Sequence, residues 1–379
     1  MFKRDIADHI KKLARQFPVI TITGPRQSGK TTLAKTLFPD KLYVNLEELG
    51  PRQLAKSDPK EFLSFYKDGA IIDEAQYVPE LFSYIQVRVD QKDTPGEFIL
   101  TGSQNFLMME NITQSLAGRV GVVELLPLSY HEIQTEISIA SPYELLVKGF
   151  YPRIYNANIE SSLFYKSYIQ TYVERDVRQI KNIENLDTFQ KFMKLCAMRV
   201  GQLLNVSALA LECGVSQNTA KNWLSLLKTS YIAFTLMPHF KNFNKRLVKQ
   251  PKLYFYDTGL AGALLDVEEI TPEHNLKGRL FENFVVTELI KTRWNQLKTH
   301  NLYFWRDSAG HEVDVVFEAG DELVPIEIKA SQTFRQEFFK ELNYFKTLSQ
   351  GSRSHLVYAG EEDLPKGVVS WRNVQSILM

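Results

Sequence analysis

Residues Gly24-Pro25-Arg26-Gln27-Ser28-Gly29-Lys30-Thr31 spell G-x-x-x-x-G-K-[ST]. This phosphate-binding loop works only between a strand and a helix, so it dictates the fold around it. Val19-Ile20-Thr21-Ile22-Thr23 supplies the strand, β-branched and apolar enough for the middle of a parallel sheet. Thr32 to Phe38 supplies the helix, stopped by Pro39. Gly24 and Gly29 let the backbone curl until successive N–H groups point at a phosphate. The helix N-terminus adds partial positive charge. Lys30 reaches the β- and γ-phosphates of ATP, and the Thr31 hydroxyl is a Mg²⁺ ligand. Pro25, Arg26, Gln27, Ser28 and Thr32 complete the nucleotide-binding stretch.

A second ATPase signature follows about 40 residues downstream. Ala70-Ile71-Ile72 is an apolar strand ending in Asp73-Glu74. Asp73 can hold Mg²⁺, and Glu74 can polarise the attacking water as general base. Further strands are read at 42–46, 98–104 and 120–125, with amphipathic helices at 4–17 and from Val78 to Val89. The polar tip Ser103-Gln104-Asn105 offers a sensor of the γ-phosphate, with Gln104 favoured. Arg119 can supply positive charge to that phosphate, in cis or across a subunit interface; its alternative is a surface arginine paired with a carboxylate. Strands alternating with helices around such a loop predict an α/β P-loop NTPase sandwich with a mostly parallel sheet.

These motifs, with Ile72-Asp73-Glu74-Ala75-Gln76, Leu100-Thr101-Gly102-Ser103-Gln104, Leu116-Ala117-Gly118-Arg119 and Leu126-Pro127-Leu128-Ser129, resemble the prokaryotic AAA-type ATPases fused to a C-terminal domain of unknown function, the DUF4143 group. The resemblance covers nearly the whole chain. It implies the fold and the nucleotide chemistry more than a biological process.

At 379 residues, two or three domains are expected. The pattern places an ATPase domain at 1–140, a helical region with a winged helix-turn-helix at 141–250, and an α/β restriction-endonuclease-like domain at 251–379. In the middle region, Phe164, Tyr168 and Tyr172 share one helix face, and Arg175-Asp176 follows as an ion pair of no defined role. Cys213-Gly214-Val215-Ser216 is a turn between two helices. In the second helix Ala220, Trp223, Leu224 and Leu227 face inward, while Gln217, Asn218, Lys221 and Asn222 face outward and suit contacts to DNA. The stretch 240–252 holds Lys241, Lys245, Arg246, Lys249 and Lys252 with no acid, as a wing on a phosphate backbone would. The net charge of +1 gives no general attraction to nucleic acid, so DNA binding has to come from this local patch.

In the last third, Glu282 on a helix, Asp314 on one strand, and Glu327 with Lys329 on the next resemble the PD-(D/E)xK nuclease fold, with Val313 in place of the usual proline. The resemblance implies Mg²⁺ on Asp314 and Glu327, and Lys329 orienting water. The bland alternative is a buried ion network without cleavage. Cys196 and Cys213 match no metal-ligand spacing and read as core residues. No signal peptide or run of 18 apolar residues is visible, so a cytoplasmic protein without membrane spans is expected. The expected function is Mg²⁺-dependent ATP hydrolysis coupled to DNA engagement; the alternatives are an ATP-regulated nuclease and a signalling or scaffold ATPase whose winged helix binds protein. A homo-oligomer is needed if Arg119 acts in trans.

Overall fold

The computed structural model describes residues 2–103, 112, 114–172, 185–241, 243, 247–349, 351 and 353–378. Its residues fall into two compact units. The first holds 1–128 with the short segments 229–231 and 294–298; the second holds the remainder.

In the first unit β1 (Val19–Thr23), β2 (Leu42–Asn45), β3 (Ala70–Asp73), β4 (Phe98–Gly102) and β5 (Val120–Glu124) form one sheet in the order β2-β3-β4-β1-β5. Every pairing is parallel. Side chains alternate across a strand, so the apolar runs feed two cores. Ile20, Ile22, Ile71, Ile99 and Val123 pack with Ile6, Ile10 and Leu33, from helices Ala7–Ala14 and Lys30–Leu37 and their flanks. Val19, Ile72, Phe98 and Leu100 pack instead with Phe62, Leu81, Phe82 and Ile85, from helices Pro59–Ser64 and Leu81–Lys92. Each buried Ile or Phe contributes about 1.5–3 kcal/mol. This three-layer arrangement is the expected α/β sandwich, and it brings the C-terminal ends of β1, β3 and β4 to one edge.

In the second unit, helix Val206–Cys213 ends at Gly214 in the left-handed conformation, and helix Gln217–Thr229 follows. β6 (Gln202–Leu203), β7 (Ala233–Leu236) and β8 (Lys252–Phe255) form an antiparallel sheet in the order β6-β8-β7. Ala220, Trp223, Leu226 and Leu227 are buried. Leu224, expected inside, is only half-buried. β9 (Leu302–Arg306), β10 (Glu312–Ala319) and β11 (Glu322–Lys329) form the expected antiparallel meander, extended in parallel by β12 (His355–Tyr358) and β13 (Val368–Ser370). Helix Lys277–Asn295 is buried on nearly all sides between Leu280 and Thr292. Its polar groups are matched: Asn283 accepts from Phe255 N and donates to Phe255 O, and Glu288 accepts from Tyr130 N.

The compact units part at Leu128/Ser129, a little ahead of the expected domain end at 140. Residues on the two sides of the expected 250/251 joint share one unit, because β7 and β8 pair across it, Ala233 opposite Phe255. The charge run at 240–252 also divides. Lys241 and Lys249 are exposed, but Lys252 is 2% exposed and cannot be a wing cation. Lys245 and Arg246 lie outside the described residues, as do Gln104, Asn105, Arg175 and Asp176.

Candidate functional site

The phosphate loop leaves β1 under tight constraint. Gly24 has φ +145°, and a Cβ there would sit 2.2 Å from the carbonyl oxygen of Leu125, which runs past it after β5. No side chain fits, so the loop can turn there only on glycine. Gly24→Ala should cost the fold about 1–3 kcal/mol or more, read as a fall in the urea midpoint at unchanged m-value. Gly29, at φ +94°, then turns the chain into helix Lys30–Leu37. Arg4, itself buried, donates to Ser28 O at 2.9 Å and Leu126 O at 2.7 Å, tying the loop to the segment after β5.

Lys30 is buried inside the loop, its Nζ donating to Gly24 O at 3.0 Å and Pro25 O at 2.7 Å. An ammonium held within the loop is a cation of the kind that pairs with a phosphate. Thr31 Oγ1 donates to Asp73 Oδ2 at 2.9 Å, and Tyr43 OH donates to the same oxygen at 2.9 Å. Thr101 Oγ1 donates to Asp73 Oδ1. Burial first, and then the Asp73 carboxylate, push the Tyr43 phenol above its ordinary value, so it remains a donor. Thr31 and Asp73 thus present hydroxyl and carboxylate oxygens side by side, which is the donor set a hard cation such as Mg²⁺ takes. These residues fit the metal that the fold implies.

Glu74 adopts φ +55°, ψ +42°, a left-handed conformation that costs a glutamate of order 1–3 kcal/mol. The turn lifts its carboxylate off the strand. Oε2 accepts from Gln76 Nε2, and from Ser103 Oγ at 3.3 Å. Because Thr23 pairs with Gly102 and Ile72 with Leu100, the loop, Asp73-Glu74 and Ser103 gather on one edge of the sheet. Of the three tip candidates, Ser103 is the described one, and it touches Glu74.

Arg119 is not gathered there. Val120 pairs with Val19, at the start of β1, so Arg119 stands on the opposite edge from the loop. Its guanidinium is held by Asp90, with Nη2 at 3.0 Å from Oδ2, and by Ala117 O. That is the surface pairing with a carboxylate, the alternative expected of this arginine.

Gln76 and Thr101 lie within the motifs that carry the resemblance but have no role assigned there, and Tyr43 carries no motif signal. Tyr231 carries none at all. Its hydroxyl lies 3.1 Å from Thr23 Oγ1 and donates to Glu124 Oε1 at 2.8 Å, steadying the strand end that launches the loop. Tyr231→Phe should cost about 0.5–1.5 kcal/mol per lost hydrogen bond, measured by chemical unfolding.

The second expected constellation lies within the other unit. Glu282, Asp314, Glu327 and Lys329 do come together, but around an extra group. Lys252 Nζ lies 2.9 Å from Glu282 Oε1, 2.5 Å from Glu312 Oε1 and 3.8 Å from Asp314 Oδ1. Asp314 Oδ2 accepts from Ile328 N at 2.9 Å, and Lys329 Nζ pairs with Glu327 Oε1 at 2.6 Å. Burial raises the Glu282 and Glu327 carboxyls above their ordinary range. Among the described residues, no three His, Cys, Asp or Glu groups are arranged to hold a metal ion. Lys252 thus stands beside Asp314, and Lys329 beside Glu327, the two carboxylates expected to hold Mg²⁺.

On helix Gln217–Thr229, the expected outward set Gln217, Asn218, Lys221 and Asn222 is exposed throughout. Gln217 Nε2 donates to Ser207 Oγ at 2.9 Å across the turn. Among the described residues no helix is long and apolar enough to cross a membrane.

Comparison with known proteins agrees with the first resemblance. Residues 16–134 match the AAA domain, 140–271 a domain of unknown function (DUF8612), and 277–375 a domain of unknown function (DUF4143). The chain is 31% identical over 368 residues to an uncharacterised protein of Mycobacterium tuberculosis and to one of Mycobacterium bovis, covering 96% of this chain and 81% of each. An uncharacterised protein of Methanocaldococcus jannaschii is 24% identical over 377 residues, covering 90% of this chain and 80% of that one. Among solved structures, a Walker-type ATPase of Pyrococcus abyssi shares 14% identity with a TM-score of 0.47, over 70% of this chain and 96% of that one.

Proposed function

Because the chain belongs to the same family as these mycobacterial proteins and carries an AAA-type P-loop ATPase domain, we propose that it hydrolyses ATP with Mg²⁺ and uses its nucleotide state to govern engagement with DNA. The observation that carries the first half is the meeting of Lys30, Thr31, Asp73, Glu74 and Ser103 on one sheet edge. Loop N–H groups and Lys30 hold the β- and γ-phosphates. Thr31 and Asp73 hold Mg²⁺, with Tyr43 and Thr101 fixing the carboxylate. Held by Thr31 and Asp73, Mg²⁺ would supply positive charge to offset the negative charge that develops on the phosphates. Glu74 takes the proton of the attacking water, oriented by Gln76 and Ser103.

The DNA half rests on the second unit. Two helices joined at Gly214, followed by the β7–β8 hairpin beside β6, support reading a winged helix. Its second helix offers Gln217, Asn218 and Lys221 to solvent, residue types that reach bases and phosphates.

Labelled duplex and single-stranded DNA should be titrated with the chain under ATP, ADP and no nucleotide, each with Mg²⁺. Retardation that changes with the nucleotide is expected. Lys221→Ala should weaken it uniformly across sequences and reduce the salt slope by about 1. No retardation in any state would move the reading to a scaffold ATPase that binds protein. DNA cleavage abolished by Asp314→Asn would make it an ATP-regulated nuclease. Sedimentation with and without ATP tests whether a second copy exists to use Arg119.

A further inference from the structure

The acidic cluster of the second unit is built around a lysine that the nuclease resemblance does not contain. Lys252 enters from β8, Glu282 from helix Lys277–Asn295, Glu312 and Asp314 from β10, Glu327 and Lys329 from β11. The Val315–Ile326 pair of β10 and β11 fixes Asp314 and Glu327 as the next residues along each strand. Four carboxylates therefore share one small volume.

Their oxygens are mostly engaged. Glu282 Oε1 accepts from Lys252 and from Tyr254 OH at 2.6 Å. Glu312 divides its oxygens between Lys252 and Arg306, the latter at 2.9 Å. Asp314 turns Oδ2 to the backbone of Ile328. Glu327 turns Oε1 to Lys329, and its Oε2 is buried without a hydrogen bond. Lys252 has a side chain 3% exposed, and its ammonium touches or approaches three carboxylates.

We propose that Lys252 is the resident cation of this cluster, standing where a divalent metal would otherwise be bound, so that the C-terminal domain keeps the outline of a metal-dependent phosphodiesterase without holding the ion. Two arguments support this. An ammonium binds carboxylates at hydrogen-bond distance, whereas Mg²⁺ needs oxygens at about 2.0–2.1 Å in an octahedron. A metal entering here would also have to sit against a buried positive charge, where repulsion is little screened. The lysine supplies one positive charge to the carboxylates that needs no metal supply. Glu327 Oε2 is a buried acceptor without a hydrogen bond, and Lys329, 35% exposed at its side chain, marks the side open to solvent.

The test is Mn²⁺ binding, followed by electron paramagnetic resonance of the free ion. It uses the full chain without nucleotide and with Asp73→Asn, which disables the ATPase metal position. With Lys252 intact, the titration should be the same whether or not Asp314→Asn is added. Lys252→Met should create one Mn²⁺ site, lost again when Asp314→Asn is added. An ion bound by the Lys252-bearing chain and released by Asp314→Asn would overturn the proposal. So would a folded Lys252→Met chain, judged by circular dichroism, that gains no site. If Lys252→Met does not fold, the comparison with Lys252 intact still decides, since it needs no change at that residue.

Discussion

Glu74→Gln should leave ATP binding essentially unchanged and lower kcat by about 10²- to 10⁴-fold, the range for removing a general base. In barrier height that is roughly 3–5 kcal/mol. The substitution is nearly isosteric, and the amide oxygen can still accept from Gln76 or Ser103, so the turn after β3 should persist. What disappears is the capacity to take a proton. The left-handed backbone at Glu74 sharpens the expectation. A glutamate kept in a costly conformation, with two side chains steering its carboxylate, is better explained by a task at that position than by packing. Single-turnover hydrolysis beside calorimetric binding of ATP separates the two quantities. Hydrolysis at the unsubstituted rate would remove Glu74 as the base and return attention to the tip after β4. Ser103→Ala, which deletes one steering hydrogen bond, should have a smaller effect than Glu74→Gln, because it misplaces the base without abolishing it.

The strands and the loop are legible in the sequence because their constraints are local. Apolar, β-branched runs mark β1 to β5 within a residue or two, and the loop motif announces both its strand and its helix. The meander of the last third is legible for the same reason, through short apolar strands punctuated by Gly310 and Gly320. What escapes is contact between distant segments that carry no motif. Arg4 reaches the loop from ahead of β1, and Tyr231 reaches the strand end before it from 208 residues along the chain. Neither sits in a pattern. Arg119 draws notice because it precedes a strand, but in a parallel sheet the start of β5 lies beside the start of β1 and not beside the loop. Lys252 misleads for a related reason. In sequence it ends a run of basic residues that reads as solvated. In the fold it is the first residue of β8, facing carboxylates contributed from residues 282, 312 and 314. Charge runs report composition; only pairing reports burial.

Lys30→Ala should abolish measurable nucleotide binding at concentrations that saturate the unsubstituted chain. Hydrogen bonds to charged groups contribute about 1.5–3 kcal/mol each, so removing the ammonium weakens affinity by roughly 10- to 100-fold for each phosphate oxygen it would have held. The ammonium is held by the carbonyls of Gly24 and Pro25. Alanine also leaves two loop carbonyls without that donor, and the variant should unfold at somewhat lower urea on this account. Thermal unfolding with and without ATP keeps the effects apart. At 100 times its Kd, ATP should stabilise the unsubstituted chain by about 2.7 kcal/mol, while the variant should show no shift from its own lower baseline. A folded Lys30→Ala chain still stabilised by ATP to the full extent would mean that the loop's backbone N–H groups alone hold the phosphates, and the lysine would then have to act on the transition state instead.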